Sequence, residues 1–346
     1  MPNNKYESID EILEEVRRIY ESRNRDLKSL INSEILVNAL KVKRDELDTL
    51  DLKVINRALR EFRYAARVFK PYRRSRKVSV FGSARTPVNA PSFRMAVEFA
   101  RLLAENNFMV ITGAAEGIMR AGNVGAGAEK SFGVNILLPF EQAPNEIVAD
   151  DPKLITFKYF FTRKLFFVME AHAVALFPGG FGTQDEGFET LTLVQTGKAP
   201  PMPLILMEPP GVEYWVNWDK FVRDQMLRNG LISPGDVSIY RICNSAQEGV
   251  DWVKFYYSTY HSMRQVRRRL VVRLERELTD GHVDRLNDEF ADLVERGSIR
   301  KSPALPEEAN EPEISGKPRL VFNYNQRKAA RLNQMFLRIN ELGKTM

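Results

Sequence analysis

Hydrophobic residues near the start of the chain recur at the spacing of a helix. The stretch from Asn3 to Lys70 contains no glycine and no proline, so its composition favours uninterrupted helices. Ser8 can cap the first of these, with Glu11 completing a capping box. The pattern predicts a helical region over 1–76, with later helices over 34–43 and 52–69. The apolar stripe of the first helix comprises Ile9, Ile12, Leu13, Val16 and Ile19.

From residue 77 the pattern changes to short apolar runs that alternate with amphipathic stretches. Alternation of strand and helix is typical of a parallel sheet covered on both faces. We therefore expect a Rossmann-like, doubly wound α/β fold over 77–261, whose ligands bind beyond the carboxyl ends of the strands. The predicted strands are 78–81, 108–111, 133–138, 154–157, 173–177, 204–207 and 238–242, and the main helices are 91–105, 117–130, 162–171 and 183–197.

The remaining residues, 262–346, predict a small C-terminal α+β appendage. Two apolar runs, 270–274 and 319–324, have the composition of strands. Thr279 can cap a helix that runs to Val294, and a last helix is expected over 327–342.

Composition is that of an ordinary globular protein, with 44% hydrophobic and 28% charged residues. No apolar run reaches the roughly 18 to 20 residues that span a bilayer, and the first residues lack the apolar stretch of a secretory signal. The single cysteine, Cys243, permits no internal disulfide. A cytoplasmic protein without a membrane partner is expected.

Basic residues cluster between Arg57 and Lys77 and again between Arg264 and Arg276, and the net charge is +6. Such clusters can bind nucleic acid. The aromatic residues Phe62, Tyr64 and Phe69 nevertheless recur at the spacing of a packed helix face, which favours a structural role. Nucleic acid is therefore not an expected partner, and strongly salt-dependent binding to DNA or RNA would reveal this third alternative.

Three glycine-bearing turns each follow a predicted strand. The first turn begins at Gly82-Ser83 and the third begins at Pro178. The second begins at Gly113 and leads through Gly117 to Met119. Glycines at such positions let backbone amides approach an anion at the start of a helix. Neither a P-loop nor a Gly-x-Gly-x-x-Gly motif occurs, which argues against the usual dinucleotide site.

The third turn carries a recognisable motif. Its sequence, Pro178-Gly179-Gly180-Phe181-Gly182-Thr183-Gln184-Asp185-Glu186, resembles the hallmark of the Lonely Guy family. These proteins are phosphoribohydrolases that release a free base and ribose 5-phosphate from nucleoside monophosphates, long labelled possible lysine decarboxylases. An upstream pair, Arg163-Lys164, stands at the family's expected distance. The resemblance is strong over 77–197 and weaker to the C-terminus, as in the longer bacterial members.

The resemblance implies that Arg163 and Glu186 are catalytic. It also implies that the 5′-phosphate is held by Gly180, Gly182 and Thr183. We interpret Thr183 as the N-cap of the helix that follows. A carboxylate can stabilise an oxocarbenium-like ribose and orient or deprotonate water, and a guanidinium can stabilise the departing base. Glu189, one turn beyond Glu186, is expected to hold Arg163 or a ribose hydroxyl. The remaining substrate-binding candidates are Gly82, Ser83, Gly113, Gly117, Met119, Lys164 and Gly179.

The second turn departs from the family pattern. The family has Gly-Gly-Gly-Pro-Gly where this chain has Gly113-Ala114-Ala115-Glu116-Gly117, so two methyls and a carboxylate are expected where the backbone is otherwise bare. Arg120 can neutralise Glu116 as an i,i+4 pair. An alternative function therefore stays open: a catalytically weak nucleotide-binding or sensing protein, or a carrier of a phosphorylated cofactor.

No metal and no cofactor are expected. His172, His261 and His282 are far apart in sequence, and no His-Lys dipeptide marks a pyridoxal-phosphate lysine. The expected partners are a nucleoside 5′-monophosphate and a second copy of the chain. The homodimer is predicted because the apolar side chains around Arg163 are too dense for a solvated helix, although the N-terminal helices could cover them instead.

Overall fold

The computed structural model describes residues 14, 16–18, 27–139 and 143–344. The chain forms two compact units, Met1–Phe62 and Arg63–Met346. The predicted first helix and its cap at Ser8 lie largely outside the described residues. Residues 63–346 form one compact unit, within which the predicted domain boundaries at residues 76 and 261 stay predictions. No helix among the described residues is both long and apolar enough to cross a membrane.

The N-terminal unit contains helix α1 (Leu27–Arg44) and most of helix α2 (Thr49–Phe69). Their positions agree with the two later helices that the sequence predicts. Lys41, Lys43 and Arg44 occupy the last turn of α1, where positive charge stabilises the helix dipole. Helix α1 buries none of its residues, and Leu27 and Leu40 are 70% and 62% exposed.

The second unit is built on a parallel sheet of seven strands. They are β1 (Lys77–Phe81), β2 (Met109–Thr112), β3 (Ser131–Ile136), β4 (Leu154–Phe157), β5 (Ala173–Leu176), β6 (Leu204–Met207) and β7 (Tyr240–Cys243). The connecting helices are α3 (Pro91–Glu105), α4 (Ile118–Ala126), α5 (Phe160–Met169), α6 (Phe181–Gln195), α7 (Tyr214–Phe221) and α8 (Ala246–Tyr256). The predicted Rossmann-like α/β fold is confirmed.

Helices cover both faces of this sheet. Helices α3, α4 and α8 pack on one face through residues such as Phe99 and Val250, and α5, α6 and α7 pack on the other through Phe167 and Trp215. Helices α3 and α4 approach so closely that a Cβ added to Gly125 would lie 2.1 Å from the carbonyl oxygen of Val97. Because both faces are buried, the strands are almost continuously apolar, which made them visible in the sequence.

The strand order, β4-β3-β2-β1-β5-β6-β7, positions the site. The chain builds outward from β1 to β4 and then returns to pair β5 against the other side of β1. Ligands of open α/β sheets bind at the carboxyl edge where the strand order reverses in this way. The turns that follow β1, β2 and β5 meet at this point.

A second, antiparallel sheet forms the C-terminal part, in the order β10-β11-β9-β8. Its strands are β8 (Tyr260–Val266), β9 (Arg269–Leu274), β10 (Val294–Ser302) and β11 (Arg319–Tyr324), with helices α9 (Asp280–Glu289) and α10 (Ala329–Lys344). Thr279 caps α9 as predicted, accepting from the amide of His282, but the helix ends at Glu289 because Val294 starts β10.

The sequence did not predict β8 and β10, and both are edge strands. An edge strand pairs on one side only and buries few side chains, so its apolar signal is weak. Over the outer face of the sheet, Glu308 lies between two arginines. Arg273 Nε and Arg319 Nε donate to its two oxygens at 2.8 Å and 3.0 Å, and all three side chains are buried.

Candidate active site at the carboxyl edge of the parallel sheet

Ser83 joins the three glycine-bearing turns. Its backbone N–H donates to the carbonyl oxygen of Pro178 in the third turn at 3.1 Å. Its own carbonyl accepts from the N–H of Ile118, at the start of α4 beyond the second turn, also at 3.1 Å. The three sequence segments therefore form one contiguous surface of backbone groups.

Two glycines are required where the first and second turns touch. Gly117 has a φ of +63°, and a Cβ there would lie 2.2 Å from the carbonyl oxygen of Ser83. A Cβ at Gly82 would lie 2.7 Å from the side chain of Ile118. Any other residue at either position would push the turns apart.

Three polar side chains hold the second turn, a role that their positions in the sequence did not predict. Thr112 Oγ1 and Asn145 Nδ2 donate to Asn123 Oδ1 at 2.7 Å and 3.0 Å, and the backbone N–H of Asn145 donates to the carbonyl of Ala114 at 2.8 Å. The three side chains are buried. An asparagine in the apolar helix α4 was the available signal, because buried polar groups need partners.

The departure from the family pattern at this turn is less disruptive than expected. Ala114 adopts a left-handed conformation, with a φ of 63°, and is fully buried, with its methyl directed at Gly133 of β3. The Glu116 side chain is 64% exposed and lies 3.8 Å from Arg120. The Ala114 methyl therefore packs into the fold, and the carboxylate of Glu116 extends into solvent.

The third turn leads directly into α6. Gly180 precedes the helix, which starts at Phe181, and the N–H of Gln184 donates to the Gly180 carbonyl at 3.1 Å. The prediction of Thr183 as N-cap was wrong, because the extended backbone at Gly180 starts the helix earlier and puts Thr183 in its first turn. A Cβ at Gly180 or Gly182 would meet no atom of the described residues within 4 Å, so this helix start is open.

Gly179 is held more tightly than the glycines that follow it. A Cβ there would lie 2.2 Å from Thr183 Oγ1 and 2.9 Å from the backbone nitrogen of Ser83. Tyr214 on α7 donates from its hydroxyl to the Gly179 carbonyl at 2.5 Å and accepts from Gln184 Nε2 at 2.7 Å. The tyrosine was not predicted, since nothing in the local sequence connects α7 to the turn.

Arg163 reaches from α5 to the second turn. Its Nε donates to the carbonyl of Val134 on β3 at 2.9 Å, and its guanidinium carbon lies 5.0 Å from the centre of the Phe167 ring. A Cβ at Gly113 would lie 2.6 Å from both Arg163 Nη2 and the sulfur of Met119, so these three candidates adjoin one another. Burial lowers the pKa of Arg163 to about 10, against the opposing effect of Glu186, and the side chain stays cationic at neutral pH.

Glu186 is the most perturbed carboxyl group of the site. It lies on the second turn of α6, is 6% exposed, and its Oε2 has no hydrogen-bond partner among the described residues. Burial raises its pKa from 4.5 to about 7, although Lys164 and Arg163 act in the opposite direction. A buried acid that titrates near neutrality is suited to proton transfer.

Lys164 pairs with two carboxylates of α6. Its Nζ lies 2.8 Å from both Asp185 and Glu189. The expectation that Glu189 holds Arg163 was wrong, because Arg163 turns toward β3 while its neighbour Lys164 faces α6. A contact between Glu189 and a ribose hydroxyl stays a prediction.

The apolar residues of α5 divide between core and surface. Phe166 and Phe167 are buried, whereas Phe160, Phe161, Leu165 and Met169 are 52%, 55%, 44% and 48% exposed in the single chain.

Within the described residues no group of three histidine, cysteine or acidic side chains could hold a metal ion.

Residues 112–253 match the sequence model of a family described as "Possible lysine decarboxylase". Over this part of the chain, the resemblance to the Lonely Guy family is confirmed. No curated protein has a significant match to the chain.

Several solved structures align with about half of the chain. A molybdenum cofactor binding protein from Rippkaea orientalis is 18% identical over 51% of this chain and 93% of that chain, with a TM-score of 0.37. The molybdenum cofactor carrier protein of Chlamydomonas reinhardtii is 17% identical over 52% and 96%, with a TM-score of 0.37. DNA processing protein A from Helicobacter pylori is 14% identical over 52% and 81%, with a TM-score of 0.36. Similarity at this level carries no argument about activity.

Proposed function

From the family match of residues 112–253 and the geometry of the three turns, we propose that the protein hydrolyses nucleoside 5′-monophosphates. The products are a free base and ribose 5-phosphate, and no cofactor takes part. The observation that carries the proposal is Glu186, a buried carboxyl whose Oε2 has no hydrogen-bond partner in the part of the chain that the structure describes and whose pKa is raised to about 7.

The 5′-phosphate is assigned to the start of α6. Gly180 and Gly182 leave open space there, and the first N–H groups of a helix attract anions through hydrogen bonds and the helix dipole. Gly179 brings the backbone of this turn against Ser83, so the amides of the first and third turns are close together. A phosphate in this position brings the ribose toward Glu186, one turn further along the helix.

Glu186 and Arg163 then divide the chemistry of bond cleavage. The ribose becomes positively charged as its bond to the base nitrogen breaks, and the ionised Glu186 stabilises that charge. The water oxygen bonds to the anomeric carbon and a water proton passes to Glu186. The bonding electrons leave with the base, whose negative charge the Arg163 guanidinium stabilises until a proton reaches it.

Chromatography of released base tests this proposal. Pure protein is incubated with AMP, GMP, CMP and UMP, and free base is measured for wild type, Glu186→Gln and Glu116→Gln. Glu116 is an exposed carboxylate of the second turn, so its variant controls for the substitution itself. We expect base release by wild type and by Glu116→Gln, and a loss of at least about 100-fold in Glu186→Gln. Equal release by all three proteins would refute the assignment of Glu186.

A nucleotide-binding or sensing protein, or a carrier of a phosphorylated cofactor, is the second candidate. It is favoured by Ala114, which holds a left-handed backbone conformation where the family has glycine. Calorimetry with the same nucleotides separates the candidates. Tight binding without product supports the second, and binding with product supports the hydrolase.

We further propose a homodimer. Four apolar side chains of α5 are about half exposed on the single chain, close to Arg163, and a second copy would cover them. Light scattering at micromolar concentration is expected to give about twice the chain mass of 39.8 kDa. A mass near that of one chain would refute the dimer.

A further inference from the structure

A cavity lies at the amino-terminal edge of the parallel sheet, opposite the proposed active site. It has a volume of about 840 Å³, which is within the usual range of small-molecule sites. Its walls come from the segments that precede β1, β5 and β6 and from the first residues of β8. None of the residues assigned to the nucleotide lines it, so it is separate from the proposed active site.

Most of the wall of this cavity is apolar. Side chains from the ends of α5 and α6 meet those of the loop before β6 and of β8. The apolar lining includes Val168, Leu193, Met202 and Met263. Such a surface suits the hydrocarbon or aromatic part of a ligand.

The charged part of the cavity lining is mainly positive. Among the described residues, four cations line the cavity, Arg73, Arg74, Arg76 and Lys198, against one carboxylate, Glu313. Arg76 is already engaged, 3.3 Å from Glu275 and 3.8 Å from the centre of the Tyr257 ring, and Arg74 makes only a long contact of 3.9 Å with Glu313.

Two of these cations are available to a ligand. Arg73 and Lys198 are both exposed, and neither forms an ion pair with a carboxylate among the residues that the structure describes. Two cations without counter-ions in the lining of a mainly apolar cavity leave an unbalanced positive charge, which a ligand anion would neutralise.

The two histidines of the cavity do not add to this charge. Burial lowers the pKa of His172 to about 3 and that of His261 to about 4, with nearby cations acting in the same direction. Both rings are therefore neutral at physiological pH. The positive charge that faces a ligand therefore comes from the arginines and Lys198.

We propose that this cavity binds a small organic anion with a phosphate or carboxylate head and an apolar or aromatic body. The head would lie between Arg73 and Lys198, and the body against the apolar wall. Guanidinium groups favour both head groups because their planar donors match two oxygens at once. Since α5 and α6 also carry Arg163 and Glu186, the ligand would contact the far ends of the helices that hold the proposed catalytic pair.

Isothermal calorimetry on the full chain tests the proposal, with 1-naphthyl phosphate and 1-naphthoate as probes and inorganic phosphate as the head group alone. The double variant Arg73→Ala/Lys198→Ala removes both free cations from exposed positions, so it is expected to fold. A matched control, Lys254→Ala/Arg285→Ala, removes two exposed cations outside the cavity.

We expect wild type and the control to bind at least one naphthyl probe more tightly than inorganic phosphate. The affinity should fall with added salt, and the double variant should bind at least about tenfold more weakly, as expected when charge-assisted hydrogen bonds are lost. A preference for naphthyl phosphate or naphthoate identifies the head group. Absence of probe binding to wild type, or equal affinity in the double variant and the control, would overturn the proposal. Light scattering adds one more refuting result: a double variant that loses dimerisation without any wild-type probe binding would assign this surface to a second copy of the chain.

Discussion

Glu186→Gln should stabilise the folded protein at alkaline pH while it removes activity. The Glu186 carboxyl is 6% exposed, and its Oε2 has no hydrogen-bond partner among the described residues. Ionising a buried acid is unfavourable, which is why its pKa rises from 4.5 to about 7. Glutamine has nearly the same shape and never carries the charge, so the variant avoids this cost.

The size of the effect follows from the two protonation equilibria. In the unfolded chain Glu186 ionises near its ordinary pKa of 4.5, and in the folded chain near 7. Below the lower value both states hold the proton, and ionisation costs nothing. Between the two values the unfolded chain releases its proton first, so folding stability falls as pH rises. Above the upper value the loss is complete and amounts to about 3 kcal/mol, at about 1.4 kcal/mol for each tenfold change in the equilibrium.

Denaturant unfolding of wild type and Glu186→Gln at about pH 4 and about pH 8 measures this difference. The variant should gain about 3 kcal/mol over wild type at the higher pH and almost nothing at the lower pH. Glu116→Gln serves as control and should remain within about 0.5 kcal/mol of wild type at both, as surface substitutions do. A gain of equal size at both pH values, or a loss at the higher one, would refute the idea that Glu186 is a desolvated acid.

Further predictions concern the same site and the packing around it. If Glu186 accepts a proton from water, the rate at which the nucleobase is released should rise with pH through about 7. A flat pH profile would contradict this role. Gly182→Ala should keep the wild-type melting temperature yet bind AMP about tenfold more weakly by calorimetry, since a methyl enters the space assigned to the phosphate. Gly179→Ala should instead lose both stability and AMP binding, because its Cβ collides with the turn. Undiminished AMP binding by Gly182→Ala would disprove the phosphate assignment. Gly125→Ala should lower stability by about 1 to 3 kcal/mol in denaturant unfolding, because its Cβ would meet the backbone of α3, and a wild-type midpoint would contradict the close approach of the two helices. Glu308→Gln should lower stability by about 3 to 5 kcal/mol at neutral pH, because the buried Arg319 loses its carboxylate partner and the buried Arg273 is left with Glu311. An unchanged unfolding midpoint would show that the pairing contributes little.

The parallel sheet could be predicted from the chain alone because its strands are buried on both faces. A run such as Val78–Phe81 is apolar almost throughout, and the glycines of the three turns stand directly after such runs. The carboxyl ends of parallel strands share one edge, so the order of segments was sufficient to bring the turns together. The motif that ends at Glu186 then indicated the family.

The antiparallel sheet could be predicted only in part. Its central strands β9 and β11 are apolar, whereas β8 and β10 lie at the edges and are mostly polar or exposed. Their pairing depends on backbone hydrogen bonds between residues far apart in sequence. The pattern of apolar and polar side chains therefore gives little information about this pairing.

Tertiary structure alone decided how the side chains of the site are paired. Arg163 and Lys164 are neighbours in sequence, yet one donates to β3 and the other pairs with α6, so Glu189 binds the lysine. The perturbed pKa of Glu186 comes mainly from burial, which excludes water from the carboxyl group. Residue type and spacing are local properties of the chain, whereas burial and the direction of a side chain exist only after the chain has folded.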